Sequence, residues 1–303
     1  MINGDTVSGI WQRIAYFPQC IISGFKGNKN NVDLKKLQLN KAESIVEINE
    51  TFKESGSPAR RLSNMFWSTI NWQFLSNQLN NNVNILDLGC GRGNYGYRYK
   101  RLLGKNFCTY TGVDIFKSSE FPSEFSHILS KAENIHTHIK EHNFIVSQSA
   151  LEHVENDTKV LTRITNEFSK SGKPYVQVHL VPASAALFLY LWHGWRQYSK
   201  KNLGNIIHEL SSSNDLKAKI IPLGGLRCFI AHFWYITIPT LISQLRKSDL
   251  NVSWDTKTSK VSSKIKKSVL ADYNVDGKFP IFWALVISSK DIDLDSLFIK
   301  CSK

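Results

Sequence analysis

Apolar residues along the chain form two patterns, short unbroken runs and helical spacing. The runs at 85–88, 107–115 and 175–181 are rich in β-branched and large apolar residues, which is typical of buried strands. Apolar residues in 60–79 instead recur at every fourth position, which predicts a helix. Strands that alternate with helices predict an α/β fold with helices on both faces of the sheet.

The same patterns continue to the end of the chain. Further helices are predicted over 94–103, 158–168 and 203–210, and further strands at 218–223, at 280–288 and from Phe144 onward. We divide the chain into an N-terminal helical extension, 1–53, with helical spacing over 32–53, and one α/β domain, 54–303. The domain carries an insertion, 226–279, before the last strand.

The insertion begins with an almost wholly apolar stretch, 226–245. Arg227 and His232 interrupt it, and Pro239 is expected to kink it. A charge and a proline argue against a membrane-spanning helix, and Arg246 and Lys247 follow directly. A helix lying in a membrane interface, a lid over a lipid-like acceptor and a dimer face all remain open.

A glycine turn follows the strand at 85–88 and precedes the helix at 94–103. The strand closes on Asp87, and the glycines stand at alternate positions, Gly89, Gly91 and Gly93. A strand, a glycine turn and a helix together aim backbone N–H groups at a ligand. The dinucleotide fingerprint G-x-G-x-x-G also fits, from Gly91 to Gly96, but it does not account for the acid.

An acidic residue followed by G-x-G-x-G resembles the first motif of class I S-adenosylmethionine-dependent methyltransferases. The cofactor carries an α-ammonium and a sulfonium rather than a pyrophosphate, so a carboxylate beside the turn suits it. The resemblance covers about residues 55–225 and the last strand. It implies a Rossmann-like, seven-stranded, doubly wound sheet with an antiparallel last strand, and S-adenosyl-L-methionine as the cofactor.

The resemblance also implies cofactor contacts beyond Asp87 and the glycines. Asp114 ends the second strand, where an acid binds the ribose hydroxyls. Ala132 and Glu133 lie in the loop that meets the adenine, although Lys131 stands where the family usually has Asp. Ser147 opens a segment, Ser-x-x-x-Leu-Glu-His-Val, that resembles small-molecule methyltransferases of the quinone-biosynthesis type. Arg60 and Arg61 are candidates to bind the cofactor carboxylate.

Three histidines are candidate bases for an acceptor hydroxyl: His153 in that segment, His179 at the predicted end of a strand, and His193. His193 lies in an aromatic run that could line an acceptor pocket through Trp192, Trp195 and Tyr198, with Arg196 holding an anion. The same run could instead pack as core. No metal-ligand triad is visible in the sequence, so we expect no metal.

Composition bears mainly on partners and location. The net charge of +13 favours anionic partners, namely nucleic acid, an anionic membrane surface or a phosphorylated substrate, although it also serves solubility. Five scattered cysteines and an N terminus without a signal-peptide pattern predict a cytoplasmic protein, peripheral at the inner face of the membrane if the insertion contacts lipid.

The predicted reaction is O-methylation of a small molecule, a sugar or a lipid-linked acceptor. The segment 147–150 lacks the Asn/Asp-Pro-Pro-aromatic loop of enzymes that methylate nucleobase amines, which makes nucleic acid the weaker alternative. An RNA methyltransferase and a non-catalytic, cofactor-binding or membrane-adaptor protein remain alternatives. The sequence does not determine the oligomeric state.

Overall fold

The computed structural model describes residues 1–25, 56–245, 259–273 and 279–299. A seven-stranded sheet lies at the centre, in the order β3-β2-β1-β4-β5-β7-β6. Its strands are β1 Val83–Leu88, β2 Phe107–Asp114, β3 Ser126–Leu129, β4 Phe144–Gln148, β5 Val176–Pro182, β6 Leu216–Leu223 and β7 Phe282–Ser289. Strand β7 pairs antiparallel with both β5 and β6, and β1 to β5 are parallel. The predicted doubly wound sheet with an antiparallel last strand is confirmed.

Helices cover both faces of the sheet. The α-helices are α1 Ile10–Phe25, α2 Pro58–Trp67, α3 Trp72–Gln78, α4 Tyr95–Leu103, α5 Asp157–Ser171, α6 Leu187–Tyr190, α7 Lys200–Ser213, α8 Leu226–His232, α9 Ile238–Leu245 and α10 Ser259–Tyr273. A π-helical turn, Phe233–Thr237, joins α8 to α9. Short 3-10 helices occupy Gly4–Thr6, Gly104–Asn106, Ala132–Thr137, Ile139–Glu141, Leu151–His153 and Ser184–Ala186.

The hydrophobic core has two large parts, one on each face of the sheet, and a small third cluster where α1 packs against Leu187. Because side chains alternate along a strand, Ile85 of β1 packs into one part, and Leu86 and Leu88 pack into the other. The first part also contains residues of α2, α3 and α10, and the second contains residues of α5 and α7. Both faces of the central strands are therefore buried, which explains their continuous apolar sequence.

The helix predicted over 60–79 is wrong as a single element, because the chain forms α2 and α3 with a break between them. Ile70 in the break pairs as an antiparallel bridge with Phe298, near the end of the described chain. Asn71 then caps α3, because its side chain accepts a hydrogen bond from the Phe74 N–H at 3.0 Å. A strong N-cap and a tertiary bridge override the helical spacing.

The N-terminal segment forms one helix in its first half. Pro18 lies inside α1 and does not end it. Tyr16 is fully buried against the domain, whereas Trp11 and Phe25 are 79% and 71% exposed. The helix predicted over 32–53 lies outside the described residues.

The insertion is a helical layer rather than a loop over the part that is described. The helix through 226–243 is long and apolar enough to cross a membrane by length and composition, and 28% of it is buried. Cys228 and Ile236 pack into the core, while Leu226 and Trp234 are exposed. The polar, lysine-rich part of the insertion contains α10, a 15-residue helix that packs against α8 and α2.

The break between α2 and α3 leads to a stability prediction. Replacing Asn71 by Ala removes the side-chain cap and should lower the free energy of unfolding by about 1 kcal/mol. Urea denaturation followed by circular dichroism measures the change. Asn77→Ala, at an exposed position of α3, is the matched control and should change it by less than about 0.5 kcal/mol. Equal effects of both substitutions would contradict the capping role.

Candidate functional site

A crevice opens at the carboxyl ends of β1 and β4, where the strand order reverses. This is where open α/β sheets bind their ligands. Two adjoining cavities occupy it, with volumes of about 610 and 430 Å³. Gly89 and Ser149 line both cavities, so the two form a bent channel across the sheet edge.

The glycine turn forms one wall of the first cavity. Gly91 has a φ of +54°, and a Cβ added there would meet no atom within 4 Å, so the residue faces open space. Gly89 has a φ of +72°, and its Cβ would lie 2.4 Å from that of Ala150. A side chain at Gly89 would therefore separate β1 from the segment after β4, and the narrow turn requires glycine.

Asp114 ties this turn to the next strand. Its carboxylate accepts a hydrogen bond from the Gly91 N–H at 2.9 Å and a longer one from the Phe116 N–H at 3.3 Å. The side chain also lines the second cavity. Each carboxylate oxygen can accept a further hydrogen bond, so Asp114 can hold the turn and still receive two ribose hydroxyls.

Asp87 is a buried acid at the first cavity, 4% exposed and within reach of the channel. Burial raises its pKa to about 7, and the nearby charge of Asp114 acts in the same direction. The Tyr110 hydroxyl, which donates to Asp87 at 2.6 Å, acts against the rise. A cationic ligand group beside Asp87 would restore its charged form.

Polar side chains that the sequence analysis did not identify line the rest of the first cavity. The Tyr95 hydroxyl donates to Asn64 at 2.6 Å and accepts from the Gln148 side chain at 2.5 Å. Arg60 also lies on this wall, near the Tyr95 ring. Arg61 does not, because it is buried and donates to Ser262 of α10. Only the tertiary fold brings α2, α4 and the end of β4 together, so the spacing of these residues along the sequence does not predict that they share a site.

The second cavity has a more apolar wall. Ala132 and Glu133 lie on it, as do Asp114, His153 and Trp195. The positions expected to meet a ribose and an adenine thus share this cavity, and the positions expected to meet the amino-acid end share the first. One elongated ligand can occupy both.

Four predicted site residues do not line either cavity: Ser147, His179, Gly93 and His193. Ser147 is fully buried, and its hydroxyl pairs with His179 Nδ1 at 2.8 Å. His179 lies in the middle of β5 rather than at its end, and burial lowers its pKa to about 3. The expected position of His179 at the strand end is therefore wrong. Gly93 packs under Phe121, whose ring would lie 2.5 Å from an added Cβ.

The aromatic run after β5 divides between core and cavity. Tyr198 is buried, and Arg196 forms an ion pair with Asp157 at 2.6 Å, which leaves neither of them at the cavity. Trp192 donates its indole N–H to the Arg13 carbonyl of α1. Trp195 alone of this set lines the second cavity.

A cluster of titratable side chains lies at the edge of the second cavity. Asp5 Oδ2 lies 2.6 Å from His153 Nδ1, and Asp5 Oδ1 lies 3.8 Å from His193 Nδ1. Glu152 Oε1 is 3.7 Å from the other nitrogen of His193, Nε2. The expectation that the chain binds no metal stays a prediction, but Asp5, His153 and His193 lie close enough together to hold a metal ion. They are far apart in sequence, and folding alone brings them together.

The two ends of the Asp5–His153 contact have pKa values shifted in opposite directions. Burial opposes the charged form of Asp5, but the hydrogen bond with His153 and the one donated by Gly194 outweigh it and lower its pKa. Burial likewise opposes the charged form of His153, but Asp5 and the charge of Glu152 raise its pKa. Each group favours the charge of the other.

Two carboxylates flank the glycine turn, Asp87 at the first cavity and Asp114 at the second. This donor set suits a ligand with an ammonium at one end and a ribose at the other. A site of this kind, on a doubly wound sheet with an antiparallel last strand, defines the class I S-adenosylmethionine-dependent methyltransferases. A family model described as a methyltransferase domain matches residues 69–253, more than half of the chain. The chain belongs to this family and is a methyltransferase.

Solved structures with a similar fold are also methyltransferases. The plantazolicin methyltransferase BamL has 15% sequence identity, a TM-score of 0.45, and coverage of 83% of this chain and 87% of its own. A SAM-dependent methyltransferase from Archaeoglobus fulgidus has 16% identity, a TM-score of 0.42, and coverage of 81% and 99%. The small RNA methyltransferase HEN1 has 10% identity, a TM-score of 0.42, and coverage of 72% and 24%. A comparison with curated proteins gives no match. At such low identities and TM-scores, the similarities support no conclusion about substrate.

The buried acid leads to a prediction about pH and stability. Its folded pKa of about 7 exceeds the ordinary value of 3.8, so the folded state keeps a proton that the unfolded state releases. Without ligand, the Asp87 contribution to the free energy of unfolding should therefore fall as pH rises from about 4 to 7, by roughly 1 kcal/mol per pH unit.

Denaturation of the wild type and of Asp87→Asn across this pH range measures that contribution as the difference between their slopes. Asp291→Asn, at an exposed position, is the matched control and should leave the wild-type slope unchanged. A wild-type slope in Asp87→Asn would show that other groups carry the pH dependence.

Proposed function

We propose that this methyltransferase transfers the methyl group of S-adenosylmethionine to a hydroxyl oxygen of a small-molecule, sugar or lipid-linked acceptor. The observation that carries the proposal is the pair of imidazoles, His153 and His193, at the edge of the cavity that would hold the nucleoside. A hydroxyl must lose its proton when it is methylated, and titratable groups at that position serve such an acceptor. The cofactor would supply the methyl as an electrophile on its sulfonium sulfur.

The chain holds the cofactor through both ends of the channel in this proposal. Asp87 accepts from the α-ammonium, Arg60 receives the carboxylate, and the open backbone at Gly91 allows close approach. Asp114 accepts the ribose hydroxyls, while Ala132 and Glu133 border the adenine. Gly89 and Ser149, where the cavities meet, then lie nearest the reacting sulfur.

Transfer needs alignment more than chemical assistance. The acceptor oxygen forms the new O–CH3 bond on the side opposite to sulfur while the S–CH3 bond breaks, and the electron pair of that bond goes to sulfur. Trp195 and His153 on the cavity wall position the acceptor. His179 is too deeply buried to take its proton, which leaves His153 and His193 as the candidate groups.

The experiment that tests the proposal begins with calorimetric titration of S-adenosylhomocysteine into the wild type and Asp114→Ala. Loss of the ribose contacts and of the hydrogen bond from the Gly91 N–H should weaken S-adenosylhomocysteine binding by roughly 10- to 100-fold. Asp291→Ala is the control at an exposed aspartate and should bind as the wild type does. Equal affinity in Asp114→Ala would overturn the cofactor assignment.

Acceptor screening with methyl-labelled S-adenosylmethionine follows. We expect label in hydroxyl-containing small-molecule, glycan or lipid fractions, and much less label with His153→Ala. Label incorporated into RNA instead, with acceptor binding that weakens steeply as salt is raised, would favour an RNA methyltransferase. The net charge of +13 is the observation that suggests this alternative. Tight cofactor binding without transfer to any fraction would favour a non-catalytic protein.

We further propose a peripheral contact with an anionic membrane, which would bring a lipid-linked acceptor to the enzyme. Helix α1 exposes Trp11, Ile14 and Phe25, and α8 exposes Leu226 and Ile230. Large exposed apolar side chains on a strongly basic chain are typical of interfacial helices. The opposite sides of α1 and α8 pack against the domain. The two helices would therefore lie in the membrane interface and not cross the bilayer.

Sedimentation with phosphatidylserine vesicles tests this contact. The wild type should co-sediment at low salt and do so much less at high salt, because charge attraction supplies part of the binding. Trp11→Glu should reduce the bound fraction several-fold, whereas Tyr97→Glu, an exposed aromatic on α4, should not. Equal reduction by both variants, or none by Trp11→Glu, would contradict a role for α1.

A further inference from the structure

The cluster at the edge of the second cavity combines two imidazoles and a carboxylate from three distant segments. Asp5 lies in the 3-10 helix near the N terminus, His153 lies in the 3-10 helix after β4, and His193 lies in the loop after α6. One ligand atom from each residue falls within 4.8 Å of the others. Ligand atoms around one transition-metal ion lie roughly 3 to 3.5 Å apart, so small side-chain movements would close the set.

Glu152 provides a second, independent observation. Its side chain is 1% exposed, and neither carboxylate oxygen has a hydrogen-bond partner within the described residues. A buried carboxylate without donors is costly unless a cation compensates it. Its Oε1 faces His193 Nε2 at 3.7 Å, on the side of the ring opposite to Asp5.

The backbone holds this arrangement firmly. The Glu152 carbonyl accepts from the Trp195 N–H at 2.7 Å, and the Gly4 N–H donates to the Gly194 carbonyl at 2.7 Å. A Cβ at Gly4 would lie 2.4 Å from the Trp192 carbonyl carbon, so only glycine allows the N-terminal segment this close approach. Both Leu191 and Trp192 have a φ of +37°, an uncommon backbone conformation just before His193.

From this geometry we infer that Asp5, His153 and His193 bind a divalent first-row transition-metal ion, with Glu152 orienting His193. Two imidazoles and a carboxylate suit ions such as Zn²⁺, Mn²⁺ or Fe²⁺ better than the all-oxygen sites of Ca²⁺. In the proposed site His193 binds through Nδ1. A small movement would bring its Nε2–H, which lies 3.7 Å from Glu152 Oε1 in this structure, into hydrogen-bond distance of that carboxylate, as is common for ligating histidines. Glu152 is therefore a positioning residue, and it compensates the charge of the ion.

Three protein ligands leave coordination positions open, and His153 lies on the cavity wall. The open positions would accept oxygen atoms of an acceptor. A hydroxyl bound there would have a lowered pKa and could release its proton to water. This consequence rests on the proposed function, whereas ion binding itself does not.

The test uses the full chain after removal of metal by a chelator. Titration with Co²⁺, followed by its visible absorption, should show one ion per chain with nitrogen ligands, and Zn²⁺ should displace it. His193→Ala and Asp5→Asn should weaken Co²⁺ binding by about 100-fold or more, and Glu152→Gln by about 10- to 100-fold. His208→Ala, an exposed histidine of α7, should leave it unchanged.

Comparable loss of Co²⁺ binding in His208→Ala, or wild-type binding in His193→Ala, would overturn the assignment. Binding of S-adenosylhomocysteine without metal, together with the thermal transition, shows whether each variant folds. If Asp5→Asn does not fold, His193→Gln takes its place. Metal binding that depends on these residues in a chain that binds no S-adenosylhomocysteine would leave the metal site standing and remove the proposed function.

Discussion

The hydrogen bond from the Gly91 N–H to the Asp114 carboxylate is the contact on which the site depends. It joins the turn after β1 to the end of β2, where the Gly89 and Cys90 N–H groups also donate to the Val113 carbonyl. Its geometry requires the left-handed backbone of the glycine turn, and that turn leaves room for a ligand because Gly91 has no side chain. One carboxylate thus both holds the glycine turn in place and lines the cavity where a ligand would bind.

The second buried acid, Asp87, shows what the site costs without a ligand. Its carboxylate lies in a place where burial and the neighbouring Asp114 both disfavour charge. A protein selected only for stability would have an apolar side chain there. The charged form of this acid is unfavourable without a ligand and is stabilised by an ammonium group, so the stability of the fold is linked to ligand binding. Such a compromise is usual at functional sites.

The sequence predicts the fold well because its signals are local. Strand β1, the glycine turn and α4 follow from residues within 85–103, and the antiparallel last strand is implied by the resemblance that this motif carries. The sequence fails where tertiary contacts decide the outcome. The break at Ile70 depends on Phe298, and the burial of His179 depends on its position in the middle of β5. Asp5 and His193 are 188 positions apart, so no spacing rule could have paired them.

Within the described residues, the N-terminal segment contacts the rest of the molecule through residues distant in sequence. Asp5 reaches His153 across 148 positions, and Tyr16 reaches the carbonyl of His193 across 177. Such contacts close long loops, so we expect them to form after the sheet during folding. Detachment of this segment exposes less buried surface than unfolding of the sheet, and we expect it to open as a separate cooperative unit. Amide hydrogen exchange would then show two levels of protection in one domain. The backbone amides around the histidine cluster would be less protected than those of the glycine turn.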